Sequence, residues 1–386
     1  MSNPKIMTHP NLHLCIATGQ NLANLIPAIQ LGAQDVIVLE TSDMRASAEN
    51  LKIVLKARGI RVKRLPFDDT SPEAIVASAQ KVALDLGVEP LVFNATGGHK
   101  LMTLALTNEL QSLAGDNLHL LYCETRYDRI DWLRPAAVTQ PMADVLKLED
   151  TLMAQGYRIL TRGERDIKWC VDADQRSPLT RALGDGADKL AKFFGTLNWL
   201  ADKALNEPDG PFRPRQEFDF APGGRNADLL REAGTQGLIH WDGDSEIVFA
   251  HPEAARYFRG GWLEEYVWLK IRSLKPSDSA INLRIETAGE RTDNELDAAV
   301  VHRNRLLIIE CKAKRFGRDH SKDSDHIYKL AQLARQVGGS MGRGLLLSAR
   351  PVSDEMRSRA RDNQVDVLAA EQVKDLVAYL KGWMIK

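Results

Sequence analysis

The first third of the chain alternates short apolar runs with amphipathic segments. The apolar runs are rich in β-branched residues, which favour strands, and the segments between them have the helical spacing of apolar positions. Ser71 and Pro72 form a good N-cap and first-turn pair, which predicts where one helix begins. Five apolar runs separated by helices predict a parallel sheet covered on both faces. The runs are NLHLCIATG from residue 11, DVIVLET from 35, RVKRLPF from 61, PLVFNATGG from 90 and LHLLYCET from 118.

The pattern changes between residues 141 and 255. Amphipathic stretches over 142–155 and 190–205 predict helices, and a stretch rich in Pro and Gly follows them. A further helical segment then precedes two short apolar runs joined by DGDS, which predict a hairpin. Helix plus hairpin favours a winged-helix-like connector, and a connector without that fold explains the pattern nearly as well.

Strands and helices alternate again from residue 256 to the end. The segment WLEEYVWLKIRSL has the apolar spacing of a helix, and three strand-like runs follow it before a final helix–strand pattern. We therefore predict an α/β protein of three parts: a Rossmann-like domain over 1–140, a helical or winged-helix-like connector over 141–255, and a second α/β domain over 256–386.

Composition agrees with several folded domains and excludes an overall basic protein. The 386 residues correspond to two or three domains, and 44% of them are hydrophobic. Lys and Arg number 51 against 52 Asp and Glu, so affinity for a polyanion requires a local patch. Four widely spaced cysteines disfavour a disulfide framework or structural zinc, and no apolar stretch is long enough to span a membrane. These features predict a cytoplasmic protein.

The strongest chemical signal is the segment NELDAAVVHRNRLLIIECKAK, which starts at residue 294. We predict that Asp297 begins one strand and that Glu310 and Lys312 lie on the next. Side chains two apart on a strand share a face, so Glu310 and Lys312 project together while Cys311 points the other way. Charges at the end of the apolar run LLII are expected to be paired or to bind a cation. A surface salt-bridge ladder is the plainer explanation for such a triplet alone.

Two carboxylates and a lysine at a strand end suit the hydrolysis of a phosphodiester. Carboxylate oxygens are hard ligands for Mg²⁺ or Mn²⁺, which activates water and offsets charge in the transition state. Lysine can position the nucleophile or stabilise that charge. Glu264, at the edge of the apolar face of its helix, can supply a third carboxylate, and Glu265 is its rival. We therefore predict metal binding by Asp297 and Glu310, aided by Glu264.

The surroundings of this segment are basic. Residues 301–350 contain 11 Lys and Arg against 4 Asp and Glu, which suits a polyanionic substrate. Candidates for contacts to the nucleic-acid backbone are Arg315, Arg318, Lys322 and Arg335.

The order of these residues resembles the core of the PD-(D/E)xK, or restriction-endonuclease-like, superfamily. Asp297, Glu310 and Lys312 match the core motif, and Glu264 matches the acid on its upstream helix. Leu296 stands where the family usually has proline. The resemblance implies a restriction-endonuclease-like domain in which these four matching residues are catalytic.

Two glycine-containing loops follow strands of the first domain and open helices: TGQN at 18–21 and NATGGHK at 94–100. In a doubly wound sheet both loops meet where the strand order reverses, and helix N-termini there attract phosphate. The pattern Gly-X-Gly-X-X-Gly is missing after the first strand, which disfavours a nicotinamide enzyme. A tight strand-to-helix turn is the simpler explanation of Gly97 and Gly98.

The two loops resemble the ligand loops of CARF sensor domains of type III CRISPR systems. Together with the nuclease motif, they make nearly the whole chain similar to the CARF-fused PD-(D/E)xK nucleases. The resemblance implies that cyclic tetra-adenylate binds at a CARF dimer interface and activates metal-dependent cleavage of RNA, DNA or both in antiviral defence. A ring of four identical nucleotides is two-fold symmetric, which suits a homodimer. The ligand residues implied are Thr18, Gly19, Gln20, Asn21, Thr96, Gly97, Gly98 and Lys100, with Ser42 and Asp43 as weaker candidates.

Two other functions stay open from the sequence. A ligand-responsive transcriptional regulator would read DNA with a winged-helix connector and keep an inactive nuclease-like domain, although the segment NADLLREAGTQG is not notably basic. Alternatively, the sensor domain cleaves its own cyclic ligand, with a ribose 2′-hydroxyl as the attacking group. The sequence separates neither RNA from DNA nor Glu264 from Glu265.

Overall fold

The computed structural model describes residues 9–206, 210–287, 293–314 and 320–385. Seven strands of its first part form one sheet: β1 (Leu12–Ile16), β2 (Asp35–Glu40), β3 (Arg61–Pro66), β4 (Leu91–Asn94), β5 (Leu118–Glu124), β6 (Arg129–Arg134) and β7 (Val138–Pro141). Their order is β3-β2-β1-β4-β5-β6-β7. Strands β1 to β5 are parallel, as predicted. Strands β6 and β7 add an antiparallel edge that was not predicted.

Four helices cover the two faces of this sheet: α1 (Leu22–Gln30), α2 (Arg45–Ala57), α3 (Pro72–Leu86) and α4 (Lys100–Ala114). Helices α3 and α4 bury one face, and α1 and α2 bury the other. The Ser71 hydroxyl accepts a hydrogen bond from the Ala74 N–H, which confirms the predicted start of α3. Strand order reverses between β1 and β4, so the loops after these strands lie side by side.

The middle of the chain is mostly helical and contains a small antiparallel sheet. Its elements are α5 (Leu148–Ala154), β8 (Tyr157–Thr161), α6 (Ile167–Gln175), α7 (Ser177–Asp185), α8 (Ala187–Leu205), β9 (Arg215–Glu217), α9 (Arg225–Thr235), β10 (Ile239–His240), β11 (Glu246–Phe249) and α10 (Pro252–Arg256). Strands β10 and β11 are the predicted hairpin, and β9 pairs with the free side of β11. The helix predicted over 190–205 begins earlier, at Ala187.

The predicted helix over 142–155 is helical only in α5. The buried Asn304 side chain holds the preceding residues in another path: its Oδ1 accepts hydrogen bonds from the N–H groups of Val145 (2.9 Å) and Leu146 (3.1 Å). Its Nδ2 donates to the Ala143 carbonyl at 2.7 Å. Tertiary hydrogen bonds therefore replace the helical ones that the amphipathic pattern predicts.

The C-terminal part forms a six-stranded mixed sheet flanked by helices. Its elements are α11 (Trp262–Leu274), β12 (Asp278–Thr287), β13 (Asp293–His302), β14 (Arg305–Lys312), α12 (His320–Gly338), β15 (Gly342–Ser348), α13 (Asp354–Asp362), β16 (Val365–Ala369) and α14 (Leu376–Ile385). The strand order is β16-β15-β14-β13-β12-β8. Its edge strand β8 was not predicted; it lies in the segment that we assigned to the connector and pairs antiparallel with β12.

The three parts share cores. Side chains of α8, such as Phe194 and Leu197, pack in one cluster with Trp262 of α11 and Ile309 of β14. Met341, in the 3₁₀ turn before β15, packs in the core of α1 and α2. The middle segment therefore packs directly on the C-terminal sheet, and that sheet touches the N-terminal domain. No helix in the described ranges combines the length and apolarity that a bilayer crossing demands.

Candidate active site and ligand loops

The end of β14 presents Glu310 and Lys312 on one side. The Glu310 Oε1 and Lys312 Nζ atoms are 2.5 Å apart, and both side chains are partly buried. Cys311, between them, packs toward the core that the connector shares with the sheet. The alternation of side chains along the strand thus brings together the acid and the lysine, as the sequence predicts.

Asp297 lies within β13 and not at its beginning, so our placement of it was wrong. The pairing of β13 with β14 nevertheless stops at Ala298 and Ile309, one residue before Asp297. The Asp297 carboxylate accepts a hydrogen bond of 2.7 Å from the Cys311 N–H, beyond the end of that ladder. This bond holds Asp297 beside the strand segment that carries Glu310.

Glu265 is engaged in the protein interior. Only 3% of its surface is exposed, and its two carboxylate oxygens each accept a hydrogen bond of 3.0 Å from Arg176 Nε. The Thr180 hydroxyl donates to the same carboxylate at 3.3 Å. Glu265 therefore holds α11 against α6 and α7 and is not available as a metal ligand.

Glu264 faces the other acids of the site. Burial raises the pKa of Glu264 to about 8, and the negative charges of Asp297, Glu295 and Glu310 add to that effect. Burial likewise raises the pKa of Asp297 to about 7, with Glu310 as the next cause. Burial and nearby negative charges thus disfavour the charged forms of Glu264 and Asp297, as is usual for acids that share one site.

Lys312 provides one positive charge in this group. Although burial works in the opposite direction, the carboxylates of Glu310 and Asp297 raise the pKa of Lys312. Lys312 is therefore a stable cation beside these acids at neutral pH.

The donor set fits a hard divalent cation. The pKa values of Glu264 and Asp297 are raised, in part by the nearby negative charge of Glu310, and carboxylate oxygens of this kind suit Mg²⁺ or Mn²⁺. Among the described residues, no three acidic, His or Cys side chains already form a closed ligand set. The acids would therefore have to draw together around an ion.

The predicted basic contacts have different outcomes. Arg335 turns away toward α13, where its Nη2 donates to the Asn363 carbonyl at 3.4 Å. Arg315, Arg318 and the side chain of Lys322 lie outside the described part of the structure.

The two ligand loops are in contact at the edge of the N-terminal sheet. A Cβ atom on Gly97 would lie 2.2 Å from the Ile16 carbonyl oxygen and 2.9 Å from the Thr18 side chain. Gly98 has a φ of +76°, a left-handed conformation that glycine adopts without strain. The close approach therefore requires both glycines, and it brings the exposed start of α4 beside residues 18–20.

Two of the predicted ligand residues are occupied inside the protein. Asn21 is buried, and its Nδ2 donates to the carbonyls of Ser47 (2.8 Å) and Ala154 (3.2 Å). The Thr96 hydroxyl donates to Asn94 and accepts from the Cys123 N–H at 2.7 Å. These side chains shape the two loops from within, so we no longer assign them contacts to adenine or phosphate.

Gln20 connects the first loop to the C-terminal part of the chain. Its Oε1 accepts a hydrogen bond of 2.7 Å from the Ser340 N–H, in the turn before β15. From the sequence we predicted only a ligand contact for Gln20. The other exposed residues of the predicted ligand set are Gly19, Ser42, Asp43, Gly98 and Lys100. In the described part of the structure, no hydrogen bond joins their side chains to another element of the fold.

Two residues near the active site, Glu295 and Asp202, were not predicted from the sequence. Glu295 lies two residues before Asp297 and contributes to the raised pKa values of Asp297 and Glu264. Its spacing in NELD was a visible signal. Asp202 of α8 accepts hydrogen bonds of 2.9 and 2.7 Å from Lys314 Nζ. No local pattern indicates that contact, because the two residues are 112 positions apart.

Known proteins support an endonuclease domain in this region. Residues 251–386 match the family model described as the Card1-like endonuclease domain. The chain therefore carries an endonuclease domain, and it contains all four residues of the predicted catalytic set within that match. No curated protein sequence matches the chain.

Solved structures establish the fold of nearly the whole chain. Protein VC1899 from Vibrio cholerae is 24% identical, with a TM-score of 0.83 over 97% of this chain and 98% of that one. Can2 from Sulfobacillus thermosulfidooxidans, solved in complex with cyclic tetra-adenylate, is 21% identical, with a TM-score of 0.78 over 97% and 98%. A type III CRISPR defence DNA nuclease activated by cyclic oligoadenylate is 18% identical, with a TM-score of 0.55 over 95% of this chain and 49% of that one.

Proposed function

We propose that this chain, which carries a Card1-like endonuclease domain, is a metal-dependent nuclease of type III CRISPR antiviral defence that a cyclic oligoadenylate activates. The observation that carries the proposal is the convergence of Glu264, Asp297, Glu310 and Lys312 at the point where β13 and β14 separate. The same fold in Can2, solved with cyclic tetra-adenylate, supports the sensor role of the N-terminal domain.

The active-site residues have different roles, which follow from their charge and position. Glu264, Asp297 and Glu310 would hold Mg²⁺ or Mn²⁺, which supplies activation of water and neutralisation of charge at the scissile phosphate. The Cys311 N–H orients the Asp297 carboxylate. Lys312, kept protonated by Glu310, would orient the attacking water or stabilise the negative charge that develops on the phosphate oxygens.

The ligand loops offer a site for a ring of phosphates. The N–H groups at the start of α4 and the exposed Lys100 favour anions, and Gly98 leaves room for backbone approach. The same edge also exposes Ser42 and Asp43 for ribose or base contacts. Because cyclic tetra-adenylate is two-fold symmetric, we infer that two chains bind one ring between their ligand loops.

Activation requires that ligand binding changes the nuclease part. Gln20 and Met341 place the turn before β15 directly on the sensor domain. Strand β15 runs from that turn to Ser348, which pairs with Lys312 at the end of β14. A ligand that binds one arrangement of the first loop more tightly shifts the population of chains toward that arrangement, and this strand would move with the loop. The difference in the ligand's affinity for the two arrangements limits how far the population can shift.

The test is cleavage of labelled single-stranded RNA, single-stranded DNA and supercoiled plasmid in Mn²⁺, with and without cyclic tetra-adenylate. We expect cleavage only when the ligand and the metal are both present, and none by Lys312→Ala. The substrate panel also decides between RNA and DNA. Binding of duplex DNA without any cleavage would favour the transcriptional regulator, and ligand that is consumed during incubation would favour a sensor domain that cleaves its own activator.

A further inference from the structure

Trp199 on α8 is a large aromatic side chain that is half exposed to solvent. Its exposed fraction is 52%, whereas the opposite face of α8 is buried in the core shared with α11 and β14. Lys203 Nζ lies 4.3 Å from the centroid of the Trp199 ring. The core of the connector does not require an aromatic residue with a cation over it at this position.

Two contacts bring this side of α8 to the strand ends that carry the active site. Asp202 binds Lys314 Nζ at 2.7 and 2.9 Å. Gly195 lies against Arg350, which is two residues beyond the end of β15. A Cβ atom on Gly195 would be 2.8 Å from Arg350 Nη1. Residues three and four apart on a helix share a side, so Trp199 stands between these two contacts.

We propose that Trp199 and Lys203 form a stacking platform for a base of the strand being cleaved. The inference rests on the proposed nuclease function and adds a substrate-positioning residue to it. Lys314 follows Lys312 by two residues, so their Cα atoms are at most about 7 Å apart, and the contact of Lys314 with Asp202 puts this side of α8 next to the strand that carries the active site. An aromatic face stacks on any base, and the positive charge of Lys203 beside the ring suits a backbone phosphate.

The platform makes a structural demand on the substrate. A base can stack on Trp199 only when it is free of its own neighbours, as in a single strand or an opened duplex. Lys203 already lies over one face of the Trp199 ring. Its ammonium group would therefore stay close to the phosphate backbone of a nucleotide whose base stacks on the ring. Trp199 thus acts through binding and has no part in the chemistry.

The experiment compares the binding of a labelled single-stranded oligonucleotide with that of the same strand carrying abasic sites. Binding is measured in EDTA with cyclic tetra-adenylate present, for the unmodified chain, Trp199→Ala, Trp199→Phe and Phe220→Ala. The last is a matched control, because Phe220 is an aromatic side chain that is also 52% exposed. We expect Trp199→Ala to bind the intact strand about 10-fold more weakly, Trp199→Phe to retain most of the affinity, and Phe220→Ala to be unchanged.

The abasic strand identifies the cause of the loss. We expect the unmodified chain and Trp199→Ala to bind it equally, since no base remains to stack. The proposal is overturned if Trp199→Ala binds the intact strand as tightly as the unmodified chain, if it loses the same factor on both strands, or if sedimentation shows that it has lost a contact between chains.

Cleavage separates this proposal from the proposed function. With metal added, we expect Trp199→Ala to raise KM about 10-fold and to leave kcat unchanged, as a residue that binds substrate and transition state equally does. A chain that never cuts but binds strands through Trp199 would contradict the nuclease function and keep the platform. A chain that cuts with the same KM after Trp199→Ala would keep the nuclease and remove the platform.

Discussion

Glu264 and Glu265 are neighbours on α11, and one residue of an α-helix turns the side chain by about 100°. That rotation takes Glu265 to Arg176 in the interior and Glu264 to the acids of β13 and β14. The sequence predicted an acid at this point of the helix but not which of the two. The choice depends on Arg176, which lies 89 positions away and carries no local signal.

Substitution of each glutamate by glutamine tests this assignment. We expect Glu264→Gln to lose at least about 100-fold in cleavage rate, since even the outer partners of metal ligands are worth 10–100-fold. Its melting temperature in EDTA should not fall, because glutamine is uncharged, like the protonated carboxyl that the raised pKa of Glu264 favours. Cleavage rates and thermal unfolding of the metal-free protein provide the two readings.

Glu265→Gln should give the reverse result. Removing one charge of a buried ion pair costs about 3–5 kcal/mol when the partner stays buried, so we expect a lower melting temperature. The folded fraction should still cut when the ligand and the metal are present. Loss of activity without loss of stability in Glu265→Gln would reverse the assignment.

At the scale of elements, the apolar runs predicted the five parallel strands and the helix after Ser71 correctly. The predictions missed β6, whose alternation in RIDWLR buries only Ile130 and Trp132. They also missed β8, because its burial depends on pairing with β12, more than 100 positions further along the chain. Strand edges are thus hard to predict from local pattern, since half of their side chains or more face solvent.

The turn that Gln20 touches is the element through which we expect the sensor to act. Gln20→Ala removes one hydrogen bond, worth about 1 kcal/mol, so the ratio of cleavage with saturating ligand to cleavage without ligand should fall about 5-fold. Ser42→Ala is the control, since Ser42 lies at the same edge and its described hydrogen bond is to its neighbour Asp43. It should require more ligand and reach the same ratio. An unchanged ratio in Gln20→Ala would exclude this contact from the coupling.

Across the whole molecule, the contacts between distant parts of the chain could not be predicted from the sequence. The residues that join the sensor loop to the nuclease part, Gln20 and Ser340, are 320 positions apart. Asn304 holds the chain near Val145, 159 positions away, and Asp128 binds Arg305 at the start of β14 across 177 positions. Such contacts depend on how finished domains pack, and no periodicity along the chain indicates them.

We propose that one ligand, shared by two chains, controls one nuclease site per chain. The most direct test is the cleavage rate at increasing cyclic tetra-adenylate, with the chain concentration well above the dissociation constant. We expect the rate to rise linearly and to stop rising at one ring per two chains, and Lys312→Ala to bind the ligand with the same stoichiometry without cutting. Cleavage that is independent of the ligand, or equal in Lys312→Ala, would contradict the account.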